Sequence, residues 1–195
     1  MTQQELAEIL QWAGTLLSLG YVVLLTFNNV WAWPCGILGS AIMVYTFVTG
    51  EQILYMEAVS YSMYTLLGIY GLLYWLNKNG DEPDVPIIEW KWHDHLNIIV
   101  VGSLLALGFG YLLTDTNEAR PYFDSFTTVF AMIGTFMQAR KVLSNWWYWL
   151  AINGASIYLY WSTGFYQYAL LSVVFTVLSV TGFLSWKKIY VSQNV

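Results

Sequence analysis

The sequence predicts an all-α integral membrane protein: seven transmembrane helices, laid out as two parallel three-helix repeats joined by a linker helix. Three observations carry that expectation. The first is composition. The chain is 57% hydrophobic and 18% aromatic but only 10% charged, with a mean hydropathy of +0.52, whereas soluble domains carry about 25% charged residues. Seven Lys and Arg with twelve Asp and Glu cannot clothe 195 residues in a water-soluble surface. The second is a set of seven segments near the roughly 17–25 mostly apolar residues that a bilayer-spanning helix needs. The third is an internal likeness between residues 29–75 and 145–186.

Span 1 runs from about Leu6 to Phe27 and breaks at Asn28-Asn29. Span 2, Trp31 to Val48, carries Pro34 in its first turn, where a missing N–H costs little. Thr49-Gly50-Glu51 turns the chain into span 3, Gln52 to Leu76. Asn77 to His93 holds Gly80, Pro83, Pro86, four acids and two lysines and reads as a solvated linker. Span 4, His95 to Thr114, contains Gly108-x-Gly110, a pair that loosens a helix or lets a neighbour approach. Asp115 to Pro121 is polar. Span 5 runs from Tyr122 to Ala139 and is closed by Arg140-Lys141; span 6 runs from Trp146 to Trp161 and span 7 from Phe165 to Trp186. Lys187-Lys188 begins a polar tail. Spans 2 and 6 are short, and their tryptophan-rich ends suit the headgroup region. The expected divisions are residues 1–76, 77–114 and 115–195: first repeat, linker loop and helix, second repeat with tail.

With seven spans, Lys78, Lys91, Arg140, Lys141, Lys187 and Lys188 fall on one side and Arg120 alone on the other. Cytoplasmic loops hold the excess of Lys and Arg, so the N-terminus is expected outside and the C-terminus in the cytoplasm. Residues 1–8 show no positive region or small-residue cleavage site, so the first span is expected to act as its own insertion signal.

The internal likeness sets Asn29-x-Trp31-x-Trp33 against Asn145-x-Trp147-x-Trp149 at an offset of 116, and Ser40 against Ser156. Thr49-Gly50 then meets Thr163-Gly164, Gly71 meets Gly182, and Trp75 meets Trp186. One span intervenes between the triplets, so both enter the membrane in the same sense. Repeats of that kind are known from transporters, with the substrate near the midplane at the repeat interface.

Other chemistry is poorly represented. The net charge is −5, and no basic tract points to nucleic acid. Cys35 is the single cysteine, so no disulfide forms within the chain. His93-Asp94-His95 is too tightly spaced for one helix face, and no other histidine exists to complete a metal site. There is no P-loop, Ser-His-Asp set, Cys-His pair or CxxC, so an intramembrane enzyme lacks its acid-base or nucleophile cluster. No cofactor is expected.

The candidate residues lie on faces of helices. In span 6, Asn145, Trp149 and Asn153 recur at i, i+4 and i+8, continued by Ser156 and Tyr160. Interfacial anchoring accounts for Trp146 and Trp147. It accounts less well for a second amide two turns deep, since an amide in hydrocarbon must find partners. Span 3 carries Glu57, Tyr61, Tyr64, Gly68, Gly71 and Trp75, and span 7 carries Tyr168, Ser172, Phe175, Ser179, Gly182 and Trp186, in one shared spacing. Each stripe is either a packing seam or, at its wider end, a ligand face. Glu57 is an acid inside a span, costly at depth by about 3 kcal/mol; it snorkels to water or serves as a proton site or counter-ion. Thr135 and Gln138 share a face of span 5.

These residues carry a resemblance. Thr127-Thr128, Ala139-Arg140-Lys141, Asn145-Trp146-x-x-Trp149-x-x-x-Asn153, Gly164-x-Tyr166 and Trp186, with Trp33-Pro34, Tyr55-Met56-Glu57 and Tyr70-Gly71-x-x-x-Trp75 in the first half, resemble the PnuC family of B-vitamin transporters. The resemblance implies a 3+1+3 fold like that of SWEET proteins, with a different helix order in each triplet. It implies facilitated diffusion of a dephosphorylated vitamin, chiefly nicotinamide riboside, trapped afterwards by a cytoplasmic kinase; relatives carry thiamine or riboflavin. Asn145, Trp149 and Asn153 would line the substrate site, with Trp33 opposite and Tyr61, Tyr64, Gln138, Thr135, Ser156 and Glu57 around it. Tyr61 stands where the family leads one to expect glutamine, and Gln138 where it leads one to expect an apolar residue, so thiamine remains the alternative. The partners are the vitamin, the lipid bilayer of a bacterial inner membrane and, functionally, the kinase. A homo-oligomer is compatible with the sequence.

Overall fold

A computed structural model describes residues 3–49, 55–77, 84–114 and 120–194, with the backbone alone for Gln3, Gln4, Tyr55 and Met56. Gly50, Glu51, the expected start of span 3 at Gln52, Lys78, Gly80, Pro83 and residues 115–119 lie outside the described residues. Among the described residues are seven helices: α1 Gln3–Thr26, α2 Ala32–Thr49, α3 Tyr55–Leu76, α4 Trp92–Leu112, α5 Pro121–Ala139, α6 Asn145–Ser162 and α7 Tyr166–Gln193. Every expected span has its helix.

By length and apolar composition four of them suffice to cross a bilayer: Glu5–Thr26, Ala32–Thr49, Trp92–Leu112 and Tyr166–Gln193. Helices α3, α5 and α6 score lower through Tyr, Trp and Asn, whose polar tips depress hydropathy while their bodies remain apolar. Large apolar side chains stand outward along the bundle, among them Trp12, Leu16, Leu104, Leu112 and Leu170. Such faces are at home in lipid and unstable in water.

Two boundaries differ from expectation. Helix α4 starts three residues early because the Asp94 carboxylate accepts from the Lys91 N–H (3.1 Å), satisfying one of the donors left open at a helix N-terminus. Helix α7 runs through Lys187-Lys188 to Gln193; the tail contains no Gly or Pro to stop it. The linker is also less solvated than its composition predicts. Ile87 is buried, and Ile88 pairs in strand fashion with the α5–α6 turn, donating to Lys141 O (3.0 Å) and accepting from Leu143 N (2.8 Å).

The chain divides into two compact units, Met1–Pro86 with Val191–Val195, and Ile87–Tyr190. In the first, α2 is held between α1 and α3. Trp33 is fully buried, edge-on to Tyr21 (centroids 5.7 Å apart) and to Trp75 (5.6 Å), with its ring over Gly71, where a Cβ would come within 2.5 Å. Ser40 and Thr65 hydroxyls meet at 2.7 Å between α2 and α3. In the second unit, Trp146 is equally buried, edge-on to Trp186 (5.5 Å) and seated on Gly182, where a Cβ would come within 2.4 Å. Asn153 reaches from α6 to Ser179 of α7. In the same unit α4 packs on α5, with Gly102 against Ile133 and Gly110 against Tyr122; Gly108 faces open space, so only one of the Gly108-x-Gly110 pair makes a close approach.

The two units repeat, in a register that corrects the sequence alignment. The α1–α2 and α5–α6 turns share three backbone hydrogen bonds at an offset of 113. Asn28 N donates to Leu25 O (3.0 Å) as Lys141 N does to Gln138 O (3.0 Å). Asn29 N donates to Leu24 O (3.1 Å) as Val142 N does to Met137 O (2.9 Å), and Ala32 N to Asn29 O (3.1 Å) as Asn145 N does to Val142 O (3.2 Å). Asn28 and Lys141 share a left-handed backbone, φ 54 and 53. Trp33 therefore corresponds to Trp146, not Trp149, and Ser40 to Asn153, not Ser156. A run with tryptophan at 146, 147 and 149 lets an alignment by residue type slide three places; the backbone of the turn does not slide.

L-residues resist the left-handed region by roughly 1–2 kcal/mol, and Asn tolerates it better than most. Asn28 also donates to Asp84 (3.3 Å). Asn28→Ala is expected to destabilise the protein by about 1–2 kcal/mol, and Asn28→Gly by less. Thermal unfolding of the two variants in detergent ranks them; an alanine variant as stable as the glycine one would contradict the turn's role.

Candidate binding face

The expected span 6 face exists, and α6 is wedged by it against two neighbours. Asn145 opens the helix and is fully buried. Its amide nitrogen donates to Val142 O at 2.6 Å, which fixes the amide's orientation, and its Oδ1 is buried without a donor among the described residues. One turn on, Trp149 lies on α5. Its indole rests at Gly134, where a Cβ would stand 3.0 Å from Nε1, and that N–H is enclosed without an acceptor among the described residues. Another turn on, Asn153 is buried and donates to Ser179 Oγ at a long 3.4 Å. Ser156 and Tyr160 are half-buried, and Tyr160 touches Tyr168 of α7, centroids 5.5 Å apart.

Helix α5 supplies the other wall. Thr135 and Gln138 are both buried beside Gly134 in sequence. Thr135 turns its hydroxyl back to Ala131 O (2.9 Å), the usual satisfaction of a threonine within a helix. Asn145, Trp149, Asn153, Thr135 and Gln138 thus belong to one unit and one buried α5–α6–α7 region. Tyr61, Tyr64 and Glu57 belong to α3 of the first unit. Tyr61 contacts Phe47 (5.4 Å) and Tyr64 (5.9 Å); Glu57 lies in the first turn, half-buried. Trp33 is walled in by Tyr21, Gly71 and Trp75, so its ring is committed to packing.

Sequence reasoning passed over Gly134 and Ser179 as site residues. Gly134 is the single glycine of α5, a signal that was there to be read. A cavity of about 460 Å³ lies elsewhere, between α4, α5 and α6, lined by Ile99, Phe123, Phe126, Phe130, Trp147 and Ile152 among others. None of the ten expected site residues lines it; its walls are mostly apolar, with His95, Thr127, Ser144 and Tyr148 among them.

His95 has a structural duty. Its ring meets the Tyr148 hydroxyl (3.0 Å) through Nδ1 and the Ser144 hydroxyl (3.1 Å) through Nε2, with Glu89 at 3.6 Å. It ties α4 to the start of α6. His95→Ala strips partners from two hydroxyls and is expected to destabilise the protein by about 1–3 kcal/mol. Thermal unfolding in detergent measures this, and an unchanged midpoint would show the tie to be idle.

Comparison with known proteins follows the same lines. Over 92 residues, 47% of this chain, it is 26% identical to the nicotinamide riboside transporter PnuC of Escherichia coli (strain K12). The same figures hold for the nicotinamide riboside transporter PnuC of Shigella flexneri. The matched stretch spans 38% of the length of these curated relatives. A crystal structure of the vitamin B3 transporter PnuC superposes with a TM-score of 0.69 over 93% of this chain and 81% of that one, at 18% identity, and so shares its fold. The model of the nicotinamide mononucleotide transporter family matches residues 8–188, and the chain, a multi-pass membrane protein, belongs to that family.

Proposed function

We propose that the protein carries a B-vitamin precursor, nicotinamide riboside first, across the membrane by facilitated diffusion, and that a cytoplasmic kinase traps the product. One observation carries the reading: an amide–indole–amide face on which the buried atoms Asn145 Oδ1 and Trp149 Nε1 have no hydrogen-bond partner among the described residues. Leaving a buried donor or acceptor unpaired costs about 1–3 kcal/mol. One open acceptor and one open donor are what a primary carboxamide needs. The indole face adds stacking and cation–π attraction for a pyridinium, about 2 kcal/mol or more when desolvated.

In the conformation described, the Trp149 N–H is enclosed at Gly134. A ligand that reaches it parts α6 from α5, a movement that alternating access would supply. Asn153, Thr135, Gln138 and Ser156 flank this face. Tyr61, Tyr64, Glu57 and Trp33 belong to the first unit, where Trp33 packs α2 against Tyr21 of α1 and Trp75 of α3. Thiamine is the second candidate, because its aminopyrimidine presents the same donor–acceptor pair and Tyr61 and Gln138 depart from the family pattern. The Lys and Arg distribution supports an N-terminus outside and a C-terminus in the cytoplasm.

The test is titration of the purified protein with nicotinamide riboside, thiamine and riboflavin, following tryptophan fluorescence, then uptake into proteoliposomes. Saturable quenching by the riboside is expected, with uptake that equilibrates and persists when the proton gradient is collapsed. Accumulation against a gradient without a kinase would sink the passive mechanism.

A further inference from the structure

We propose that the groove between α4, α5 and α6 binds one acyl chain of an aminophospholipid, whose headgroup is held at the end where α4 and α6 begin. The groove encloses about 460 Å³ and lies wholly within the second unit. Aromatic rings fix its shape. Phe126 stacks on Phe130 (centroids 4.3 Å apart), Phe130 on Tyr148 (6.5 Å) and Tyr148 on His95 (5.9 Å), and His95 is tilted against Trp90 (5.8 Å). Aromatic side chains turn about only two torsions and make rigid surfaces. His95 is held further by the Tyr148 and Ser144 hydroxyls. The wall is therefore rigid, and the groove does not close by side-chain collapse. Ile99, Phe126 and Trp147 stand exposed along it, so it opens on the lipid side of the helices.

Its polarity and charge say what fits. His95 and Ser144 stand at the starts of α4 and α6, and Ile88, paired with the α5–α6 turn, brings the linker to that same end. At the other end the Thr127 hydroxyl is turned back to Phe123 O (3.0 Å). Between Ser144 and Ala155 the chain rises about 16 Å, half of a hydrocarbon core about 30 Å thick. That is the depth of one leaflet. Trp92 is exposed at the polar end, where an indole sits at headgroup level. Both signs of charge meet there. Glu89 lies 3.6 Å from His95 Nε2, and the Asp94 carboxylate is partly exposed beside His93. Lys91 is exposed, whereas on the adjoining turn Lys141 is fully buried and Arg140 half-buried. A headgroup with a phosphate and an ammonium matches this set, the phosphate towards Lys91 and the ammonium towards Glu89 and Asp94. An anionic headgroup without the amine leaves two carboxylates opposed to it.

The test uses the full-length protein in detergent. Native mass spectrometry counts the lipid it retains, and its unfolding temperature is followed as phosphatidylethanolamine or phosphatidylglycerol is returned after delipidation. Expected are one retained phosphatidylethanolamine per chain and a rise of about 5–10 °C at a lipid concentration a hundredfold above Kd, with a smaller rise for phosphatidylglycerol. Ala151→Phe sets a ring into the groove from an exposed position. It should unfold like the delipidated wild type and lose both the retained lipid and the rise. Glu89→Gln should make the two lipids equivalent. Unchanged retention and rise in Ala151→Phe overturn the groove as the site. Equal rises for the two lipids in the wild type overturn the headgroup assignment and the proposal with it. A wild type that holds no lipid, and whose oligomeric state changes in Ala151→Phe, assigns the face to a second copy of the chain and overturns it too. If Ala151→Phe unfolds early, Ala155→Leu repeats the comparison with a smaller side chain, and the same results decide.

Discussion

Replacing Trp149 and Asn153 together by alanine is expected to lower affinity for nicotinamide riboside more than a hundredfold while leaving a folded protein. A stacked, desolvated cation on an indole is worth about 2 kcal/mol, or roughly thirtyfold. A lost hydrogen bond from Asn153 adds about tenfold. The two side chains occupy adjacent turns of one face, so the effects need not add in full. Folding should survive loss of the Asn153 amide, since its bond to Ser179 is long at 3.4 Å. Trp149→Ala is the harsher change. It leaves a void against Gly134; truncating a fully buried tryptophan costs about 3–5 kcal/mol, and the half-buried Trp149 should cost less than that. Trp149→Phe is therefore the companion variant, keeping a ring at the seat and losing the indole N–H. A well-folded double variant that binds every vitamin as the wild type does would refute the α6 face as the site.

Gly182→Ala and Gly71→Ala are expected to be among the most damaging single-methyl substitutions at the described residues. The new Cβ would stand 2.4 Å from the Trp146 ring in one case and 2.5 Å from the Trp33 ring in the other. Each indole also meets Trp186 or Trp75 edge-on, which leaves it little room to swing away. Overpacking of this kind costs about 1–3 kcal/mol, occasionally more. Gly154→Ala is the control. Open space surrounds it, and alanine in a helix is favoured over glycine by about 1 kcal/mol, so that variant should be neutral or stabilised. Unfolding temperature and the monodisperse fraction in detergent give the ranking. If Gly182→Ala unfolds no earlier than Gly154→Ala, the tryptophan seat is not a close contact.

Helix count and the membrane class were legible because they depend on stretches of apolar residues, and twenty such residues leave little choice. The stripe Gly71 to Trp75 and its partner Gly182 to Trp186 were legible as packing seams for the same kind of reason: helical spacing puts them on one face. The repeat was visible, but its register was not, since tryptophan identity recurs at 146, 147 and 149 while the turn that sets the register carries Asn28 in one copy and Lys141 in the other. Contacts across long separations left no trace in periodicity. His95 meeting Ser144 and Tyr148 joins residues some fifty positions apart, and nothing local announces it. The charge count treated Lys141 as an ordinary loop lysine, yet it is fully buried. On the candidate face, residue type and spacing found Asn145, Trp149 and Asn153. The glycine that seats the indole escaped because it bears no chemistry of its own.

The pairing of Ile88 with the α5–α6 turn imposes an order on biogenesis. Residue 88 leaves the ribosome 54 positions ahead of residue 142, its partner across the bridge. At about 5–20 residues per second that is a wait of roughly three to eleven seconds. Through that interval the linker must stay extended, its Ile88 amide and carbonyl hydrated, while α4 and α5 are threaded into the bilayer. Only then does the turn arrive and find its template already in place. Closure of the second unit is a late event in the life of the nascent chain, and a translational pause or an insertion in the linker would be felt there, far from any substrate.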